Sequence, residues 1–397
     1  MEAYIVEWLS LLVRWLHLVA GIAWIGASFY FIMLDNSLTA PVKPEDVKRG
    51  VSGELWAVHG GGLYQSQKYL SGPNGEALSN NLHWSKYEAY TTWLSGMGLL
   101  AIIYWFGAGT YLIDKSVMAL TPAQGIGISI GAIVGSWVVY STLCKAFDEN
   151  EKWLAASLFV FVIAVDWGFF QVFSARAAFL HVGAALGTIM AANVFFAIIP
   201  GQKKLVADIR AGREPDPAPG RIGKQRSVHN TYFTLPVLFI MISSHYPMTY
   251  SHPQGWAILA VMMVAGALIR QFFVVRHRGL KRPWYLAVAG IFLLGVFFAL
   301  APKPATAPSS VTVSFAQVKG IISERCAGCH AAQPTASGFV QPPKGVMLES
   351  TEQIVLHAPK IAETVASRYM PIGNLTHMTD TERERIAVWF RDGAKAQ

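Results

Sequence analysis

Charged residues are scarce in this chain. Asp, Glu, Lys and Arg make up 14% of its 397 residues, whereas hydrophobic types make up 53%. A soluble domain usually has about a quarter of its residues charged. The deficit excludes an ordinary soluble protein and indicates a membrane protein. The length is sufficient for two or more domains.

Cysteine is also scarce, and the start of the chain lacks basic residues. Three cysteines are present, Cys144, Cys326 and Cys329, which excludes a disulfide framework. No Lys or Arg precedes Arg14, so the first apolar run lacks the basic region of a secretory signal and is expected to remain as a helix. The formal net charge of +8 resides mainly in loops between apolar runs. That distribution orients membrane proteins, so we expect a lipid bilayer and no nucleic acid as partner.

Eight apolar runs have about the length that a membrane-spanning helix needs. The sixth is the weakest, since it is short and contains Pro236. The predicted spans are Leu9–Leu34, Thr91–Ile113, Pro122–Leu143, Trp153–Phe170, Ala178–Ile199, His229–His245, Trp256–Val275 and Trp284–Leu300.

The basic residues predict the orientation of these spans. The odd-numbered loops between them contain eighteen Lys and Arg residues, and the even-numbered loops contain only Lys115 and Arg176. Loops rich in Lys and Arg remain in the cytoplasm. We therefore predict a multi-pass protein of a bacterial inner membrane, with the N-terminus and the C-terminal part in the periplasm.

The composition changes after the last apolar run. Residues 301–312 are rich in proline and predict an extended linker, and residues 313–397 have the composition of a small soluble domain. The predicted fold class is all-α. It comprises an eight-helix transmembrane bundle over residues 1–300, the linker over residues 301–312, and a small domain over residues 313–397.

The small domain contains a motif for covalent haem attachment. Cys326-Ala-Gly-Cys329-His330 has the C-x-x-C-H pattern, in which two thiols bind the haem vinyl groups and the histidine binds the iron. A chance match or a redox-active cysteine pair is the alternative. An amphipathic segment, Ser314–Arg325, precedes the motif, and Thr379-Asp-Thr-Glu382 predicts the capped start of a last helix. Bacteria attach haem c outside the cytoplasm, in agreement with the charge bias.

A methionine is the usual second axial ligand of such a haem. The candidates are Met347, Met370 and Met378. Met370 is favoured because Met370-Pro371, followed by Gly373-Asn374 and the last helix, resembles the ligand loop of class I cytochromes c. The other two are then expected to be core residues.

Ionisable residues at membrane depth are costly and often mark function. One group is predicted in the outer half of the membrane and consists of Arg14, His17, Asp166, Arg176, His181 and His245. The residues Arg14, His17, Gly21, Trp24, Ser28, Phe31 and Asp35 share one helix face that should point into the bundle. His17 with His181 or His245 could hold a haem b, or the group could line a pocket for an anionic substrate. Interfacial histidines and snorkelling arginines are the alternative.

A second group lies in the long first loop on the predicted cytoplasmic side. It contains His59, followed by three glycines that permit close backbone approach, and then His83, Trp84 and Glu88. The alternative is a pair of interfacial helices with Trp anchors. Arg270 and His277 could join this group. Cys144 has no predicted role beyond that of a buried thiol.

The longest motifs resemble those of a known family. The stretch from Arg14 through His17 and Trp24 to Ser28, the Trp56-Ala-Val-His59-Gly-Gly-Gly-Leu-Tyr64 segment, and His83-Trp84 leading to Glu88 and Trp93 resemble the bacterial membrane-bound urate oxidases (urate hydroxylases). In that family an eight-helix domain is fused to a cytochrome c tail, and the resemblance covers essentially the whole chain.

The resemblance implies oxidation of urate to 5-hydroxyisourate, with electrons passing to the haem c and on to a respiratory acceptor instead of yielding hydrogen peroxide. It implies no particular catalytic residue and leaves the side of the substrate site open. Two alternatives are a quinol-linked electron-transfer cytochrome and a transporter or sensor with a haem tail. Reduction of the haem by urate, by quinol or by neither distinguishes the three.

Overall fold

Helices dominate the structure, a computed structural model that describes residues 2–148, 150–301, 313–336, 339 and 341–396. Helix accounts for 69% and strand for 5%. The first part comprises α1 (Glu2–Ser37), α2 (Pro44–Lys48), β1 (Val51–His59), β2 (Gly62–Tyr69), α3 (Tyr87–Leu100), α4 (Pro122–Ala146), α5 (Glu151–Phe170), α6 (Ala175–Ala192), α7 (Ile199–Arg210), α8 (Pro217–Ser243), α9 (Pro247–Tyr250), α10 (Gly255–His277) and α11 (Trp284–Ala299). The C-terminal part comprises α12 (Phe315–Arg325), α13 (Ala327–His330), α14 (Thr351–Leu356), α15 (Ala358–Ala366) and α16 (Asp380–Arg391), with two 3₁₀ turns, Pro343–Gly345 and Ile372–Asn374.

Helices occupy all eight positions where spans are predicted, although their bounds differ. Among the described residues, five helices are long and apolar enough to cross a membrane: Tyr4–Ser37, Pro122–Ala146, Glu151–Phe170, Ala175–Arg210 and Gly255–His277. Trp284–Ala299 is apolar but shorter. The sixth predicted span begins twelve residues early, at Pro217, because Asp216 caps α8 by accepting a hydrogen bond from the Ala218 N–H.

Three π-helical segments interrupt the regular helices. Ala101–Trp105 and Ala108–Leu112 continue α3, and Asn193–Ile198 joins α6 to α7. Gly107 separates the first two, and a Cβ there would lie 2.6 Å from the carbonyl oxygen of Ile103. Only glycine therefore fits. Such π segments reorient side chains and are frequent at functional sites.

The first loop corrects the all-α prediction because it contains an antiparallel hairpin, β1 and β2. Gly60 and Gly61, with φ of +58° and +80°, form the tight turn that follows His59. Two positive φ angles match the right-handed twist of paired strands. The glycine run therefore serves the turn. Lys68 on β2 forms an ion pair with Asp35, which attaches the hairpin to the end of α1.

The polar face of α1 points into the bundle in part. The His17 ring hydrogen-bonds to the Thr92 carbonyl oxygen on α3. A Cβ built on Gly21 would lie 3.8 Å from the Thr92 side chain. Ser28 Oγ lies 3.3 Å from Thr231 Oγ1 on α8. Arg14 and Phe31 are exposed. The prediction is thus confirmed for the middle of the helix and is wrong for these two residues.

The C-terminal residues form a helical domain with its own core, which contains Phe315, Val318, Ile322, Ile386 and Trp389. Capping boxes start three of its helices, at Ser314, Ser350 and Thr379. The predicted segment before the cysteine motif and the predicted cap at Thr379 are both confirmed. The predicted linker falls, apart from Ala301, outside the described residues.

This domain packs on one end of the bundle. Gly373 lies against the second π segment, where a Cβ would be 3.0 Å from the Thr110 carbonyl oxygen. Tyr369 packs on the main apolar core of the bundle. The loop that contains Met370 therefore faces the end of the bundle formed by the even-numbered loops.

Gly373→Ala is expected to weaken this packing. The substitution adds a close contact to Thr110 and places alanine at φ +55°, at a cost of about 1–2 kcal/mol for the backbone alone. Hydrogen exchange of the amides of residues 108–113 should become faster. Gly345→Ala is the matched control, since Gly345 has φ +68° but nothing within 4 Å of its Cβ position. Equal exchange in both variants would contradict the contact.

Candidate functional site

Four tyrosines lie near one arginine where the C-terminal domain meets the bundle. Arg176 lies within electrostatic range of Tyr104, Tyr250, Tyr369 and Tyr111. The rings of Tyr104 and Tyr111 are in edge contact, with centroids 6.4 Å apart. We call these five residues the outer cluster. It combines one cation with four phenol groups, three from the bundle and one from the C-terminal domain.

Local structure positions these side chains. Ser174 caps α6, and its hydroxyl donates to the Tyr111 carbonyl oxygen at 2.8 Å. Its N–H donates to the Leu112 carbonyl oxygen at 3.0 Å. These bonds hold the second π segment beside the first turn of α6, where Arg176 stands. The two π segments bring Tyr104 and Tyr111, seven residues apart, to the same side.

Several polar atoms of the outer cluster are buried without a hydrogen-bond partner among the described residues. They are the Tyr104 hydroxyl, the Tyr250 hydroxyl and Arg176 Nε. Tyr104 and Tyr250 are 2% and 3% exposed. An unsatisfied buried polar group costs about 1–3 kcal/mol, so a set of them indicates a ligand or ordered water. The arrangement suits a small, flat anion.

His181 lies next to this cluster, fully buried. Its Nδ1 donates to the Ala177 carbonyl oxygen at 2.7 Å, and its Nε2 accepts from the Ser129 hydroxyl at 2.7 Å. Its ring lies 4.5 Å from that of Phe173. Both nitrogens are therefore occupied by the protein.

His17 differs from His181 because only its Nδ1 is bonded, to Thr92 and Ser95 on α3. Gly96 packs against the His17 ring, since a Cβ built on Gly96 would lie 2.9 Å from His17 Cε1. A haem held between His17 and His181 would need a free nitrogen on each. These residues do not fit a haem b in this arrangement, and we derive no step through one.

The other residues predicted in the outer half do not join the outer cluster. Arg14 is exposed but lies within electrostatic range of Tyr104 and Tyr111. Asp166 is fully buried, and neither of its carboxylate oxygens has a partner among the described residues. It is not among the electrostatic neighbours of Arg176. His245 is exposed at the end of α8.

The predicted group in the first loop is spread out. His59 lies exposed at the hairpin turn, and His83 is exposed in the segment before α3. Trp84 packs on a small apolar cluster around Ala89 and Val194. Glu88 is half-buried in the first turn of α3. The structure does not bring these four side chains into one buried site.

The cysteine motif spans the end of α12 and the short helix α13. His330 Nδ1 donates to the Val346 carbonyl oxygen at 2.9 Å, and Nε2 has no partner among the described residues, as in histidines that bind metals. Cys326 and Cys329 are unpaired thiols. Burial raises the pKa of the Cys326 thiol to about 12. A redox-active cysteine pair needs a lowered pKa, so the alternative of thiol exchange gains no support.

Arg383 fixes the loop around Met370. Its guanidinium donates to the carbonyl oxygens of Val365 and Met370, at 2.9 and 2.7 Å, and to Asn374 Oδ1 at 3.1 Å. Met370 is half-buried, whereas Met378 is 3% exposed within the domain core. The placement of Met378 matches its expected core role.

Sequence reasoning missed the four tyrosines. They lie near helix ends, where tyrosine is common as a membrane anchor, so composition alone gave them no distinction. The available signal was Gly107 between Tyr104 and Tyr111, which marks an interrupted helix.

No curated protein and no solved structure matches the chain. A family model described as urate oxidase N-terminal matches residues 3–301, which includes every element from α1 to α11. This match covers well over half of the sequence. The chain therefore belongs to the urate oxidase N-terminal family.

Proposed function

We propose that this protein is a membrane-bound urate oxidase that passes electrons from urate to a haem c on its own C-terminal domain. The observation that carries the proposal is the contact between the Met370 loop and the outer cluster. Family membership supports urate as substrate. The contact supports an electron exit through the C-terminal domain, because electron transfer needs short gaps.

We propose that the membrane domain is the predicted eight-helix bundle, in a bacterial inner membrane, with both termini in the periplasm. The apolar helices and the loop charges support this. The C-terminal domain lies at the end with few basic residues. Large apolar side chains that remain exposed on α11, such as Ile291, Phe297 and Phe298, suit contact with lipid.

The donor set of the C-terminal domain fits a haem c. Cys326 and Cys329 would form the two thioethers, and His330 would bind iron through its free Nε2. Met370, in the loop that Arg383 holds, would bind the iron as well. Bound haem c would accept electrons from the substrate one at a time and pass them to a respiratory acceptor.

The outer cluster is the proposed substrate site. Urate is a flat monoanion near neutral pH, and guanidinium groups and aromatic rings suit such a molecule. The Arg176 Nε–H would donate to an oxygen of urate. The hydroxyls of Tyr104 and Tyr250 can each donate or accept, so they suit the alternating N–H and carbonyl groups of the ring.

The reaction balances as a two-electron oxidation. The urate monoanion and one water give 5-hydroxyisourate, one proton and two electrons, and the new bond joins the water oxygen to C5. Because the electrons leave singly, the site must hold the substrate between the two transfers. A buried Arg176 with tyrosine partners would retain an anionic intermediate better than an exposed surface.

Methionine substitutions test the assignment of the haem ligands. Met370→Ala is expected to lower the reduction potential on the order of 0.1–0.3 V, within the roughly 0.8 V that axial ligands span. Met378→Ala should instead cost about 2–5 kcal/mol of stability, because it leaves a cavity in the core, and should barely alter the potential. Redox titration and thermal melting check both. A potential that follows Met378 or Met347 would contradict the assignment.

Haem analysis tests the proposal as a whole. A pyridine haemochrome assay on purified protein should show one c-type haem per chain and no b-type haem. A spectrum with b-type haem would contradict our interpretation of His17 and His181. Protein without haem c from a host able to mature cytochromes would overturn the electron path.

A further inference from the structure

A second group of buried polar side chains surrounds Tyr140, near the end of the bundle remote from the C-terminal domain. The Tyr140 hydroxyl accepts from Asn193 Nδ2 at 2.9 Å and lies 2.8 Å from His229 Nδ1. Asn193 Nδ2 also donates to Asn230 Oδ1 at 2.9 Å. The Arg226 guanidinium lies over the Tyr140 ring, 5.1 Å from its centroid. We call these five residues the inner cluster.

The inner cluster has unused hydrogen-bonding capacity. Three atoms are buried without a hydrogen-bond partner among the described residues: Nε and Nη1 of Arg226, and Oδ1 of Asn193. Arg226 is 5% exposed and Asn193 is fully buried. If the Tyr140 hydroxyl donates to His229 Nδ1, the other ring nitrogen of His229 carries a proton. The cluster then offers several donors together with one amide acceptor.

A purely structural role leaves this arrangement unexplained. A buried guanidinium without a carboxylate is costly, and a cation–π contact offsets only part of that cost. The nearby Asp148 forms an ion pair with Arg221, not with Arg226. In addition, Asn193 begins the third π segment, and such segments are frequent at functional sites.

The cluster is close to an aqueous end of the bundle. Arg221 and Arg226 stand on α8, about 7–8 Å apart along the axis. The Arg221 side chain is 57% exposed, and its partner Asp148 is 30% exposed. Arg226 therefore lies little more than one helical turn from this exposed ion pair.

We propose that the inner cluster is a second ligand site that binds an ionised lactam, the chemical class to which urate belongs. The ionised oxygen would face Arg226 and His229, and the adjacent ring N–H would face Asn193 Oδ1. A simple carboxylate would leave Asn193 Oδ1 unpaired. The choice of urate as the first probe rests on the proposed function.

Equilibrium binding of radiolabelled urate tests the proposal, without oxygen and with the full-length protein in detergent reduced beforehand by dithionite, so that it cannot oxidise the ligand. Wild type should bind two urates per chain. Arg226→Gln should weaken one site about 10- to 100-fold, because a charge-assisted hydrogen bond is lost. Arg176→Gln should remove the other site. Arg221→Gln, an exposed arginine on the same helix, is the matched control and should leave both sites intact.

The outcomes separate the two proposals. Loss of a single urate site in Arg226→Gln, with no loss in Arg176→Gln, supports the inner site and overturns the outer cluster as substrate site. Full stoichiometry in Arg226→Gln overturns the inner site. Benzoate should not compete at the inner site, and competition by it would contradict lactam recognition. If Arg226→Gln does not fold, Arg226→Lys serves instead. It keeps the positive charge but lacks the planar guanidinium with its paired N–H donors, and should weaken the same site about tenfold.

Discussion

Replacing Arg176 by glutamine is expected to lower kcat/KM for urate by about 100-fold or more. The proposed hydrogen bond from a buried guanidinium to the urate anion is worth up to about 3 kcal/mol, and part of the orientation is lost with it. The loss should appear mainly as a higher KM, because the anion is bound before it is oxidised. Steady-state rates with the haem as electron acceptor give both constants.

Two variants serve as controls for this result. Lys115→Gln removes an exposed cation from a different even-numbered loop and should leave the kinetics unchanged. Tyr104→Phe removes a hydroxyl that is buried and unpaired among the described residues. It should therefore raise the melting temperature while lowering the rate, which a purely structural tyrosine would not do. An Arg176→Gln protein with normal KM and kcat would contradict the assignment of the site.

Removing both thiols of the cysteine motif is expected to have the largest effect of all. The double variant Cys326→Ala/Cys329→Ala would attach no haem, so electrons from urate would have no exit and turnover should fall to background. The haem should also no longer remain with the denatured polypeptide on a gel. Cys144→Ala is the matched control. Cys144 is a buried free thiol in the bundle, so this variant should retain its covalent haem.

Urate binding should survive in the double variant. The outer cluster draws only Tyr369 from the C-terminal domain, and Tyr104, Tyr111, Arg176 and Tyr250 come from the bundle. Equilibrium binding of urate to the haem-free protein should therefore remain within about tenfold of wild type. Residual turnover that yields hydrogen peroxide would show a different electron acceptor and would contradict the account.

The helices were predictable because long apolar runs have few alternatives in a membrane. The start of the last helix was equally accessible, since Thr379 and Glu382 form the predicted capping box. The hairpin was missed because Gly60 and Gly61 were interpreted as a place of close backbone approach. Their position between two segments of strand length is the signal of a tight turn.

The candidate sites were less accessible from sequence. Arg176 and His181 are candidates from the sequence, but the π segments that group Tyr104 with Tyr111 have no simple periodicity. Arg226 falls in a predicted loop because the sixth predicted span begins at His229. The structure extends α8 back to Pro217 and buries Arg226. Tertiary packing, which the sequence pattern does not reveal, determines where such a helix begins and whether such an arginine is buried.

Anaerobic titration of the purified, oxidised protein with urate tests the central claim most directly. The account predicts that the absorption of reduced haem c appears without any other electron donor. It also predicts that the change is complete at half an equivalent of urate per chain, since each urate supplies two electrons. A haem that remains oxidised with excess urate, yet is reduced by quinol, would contradict the account and would identify a quinol-linked cytochrome instead.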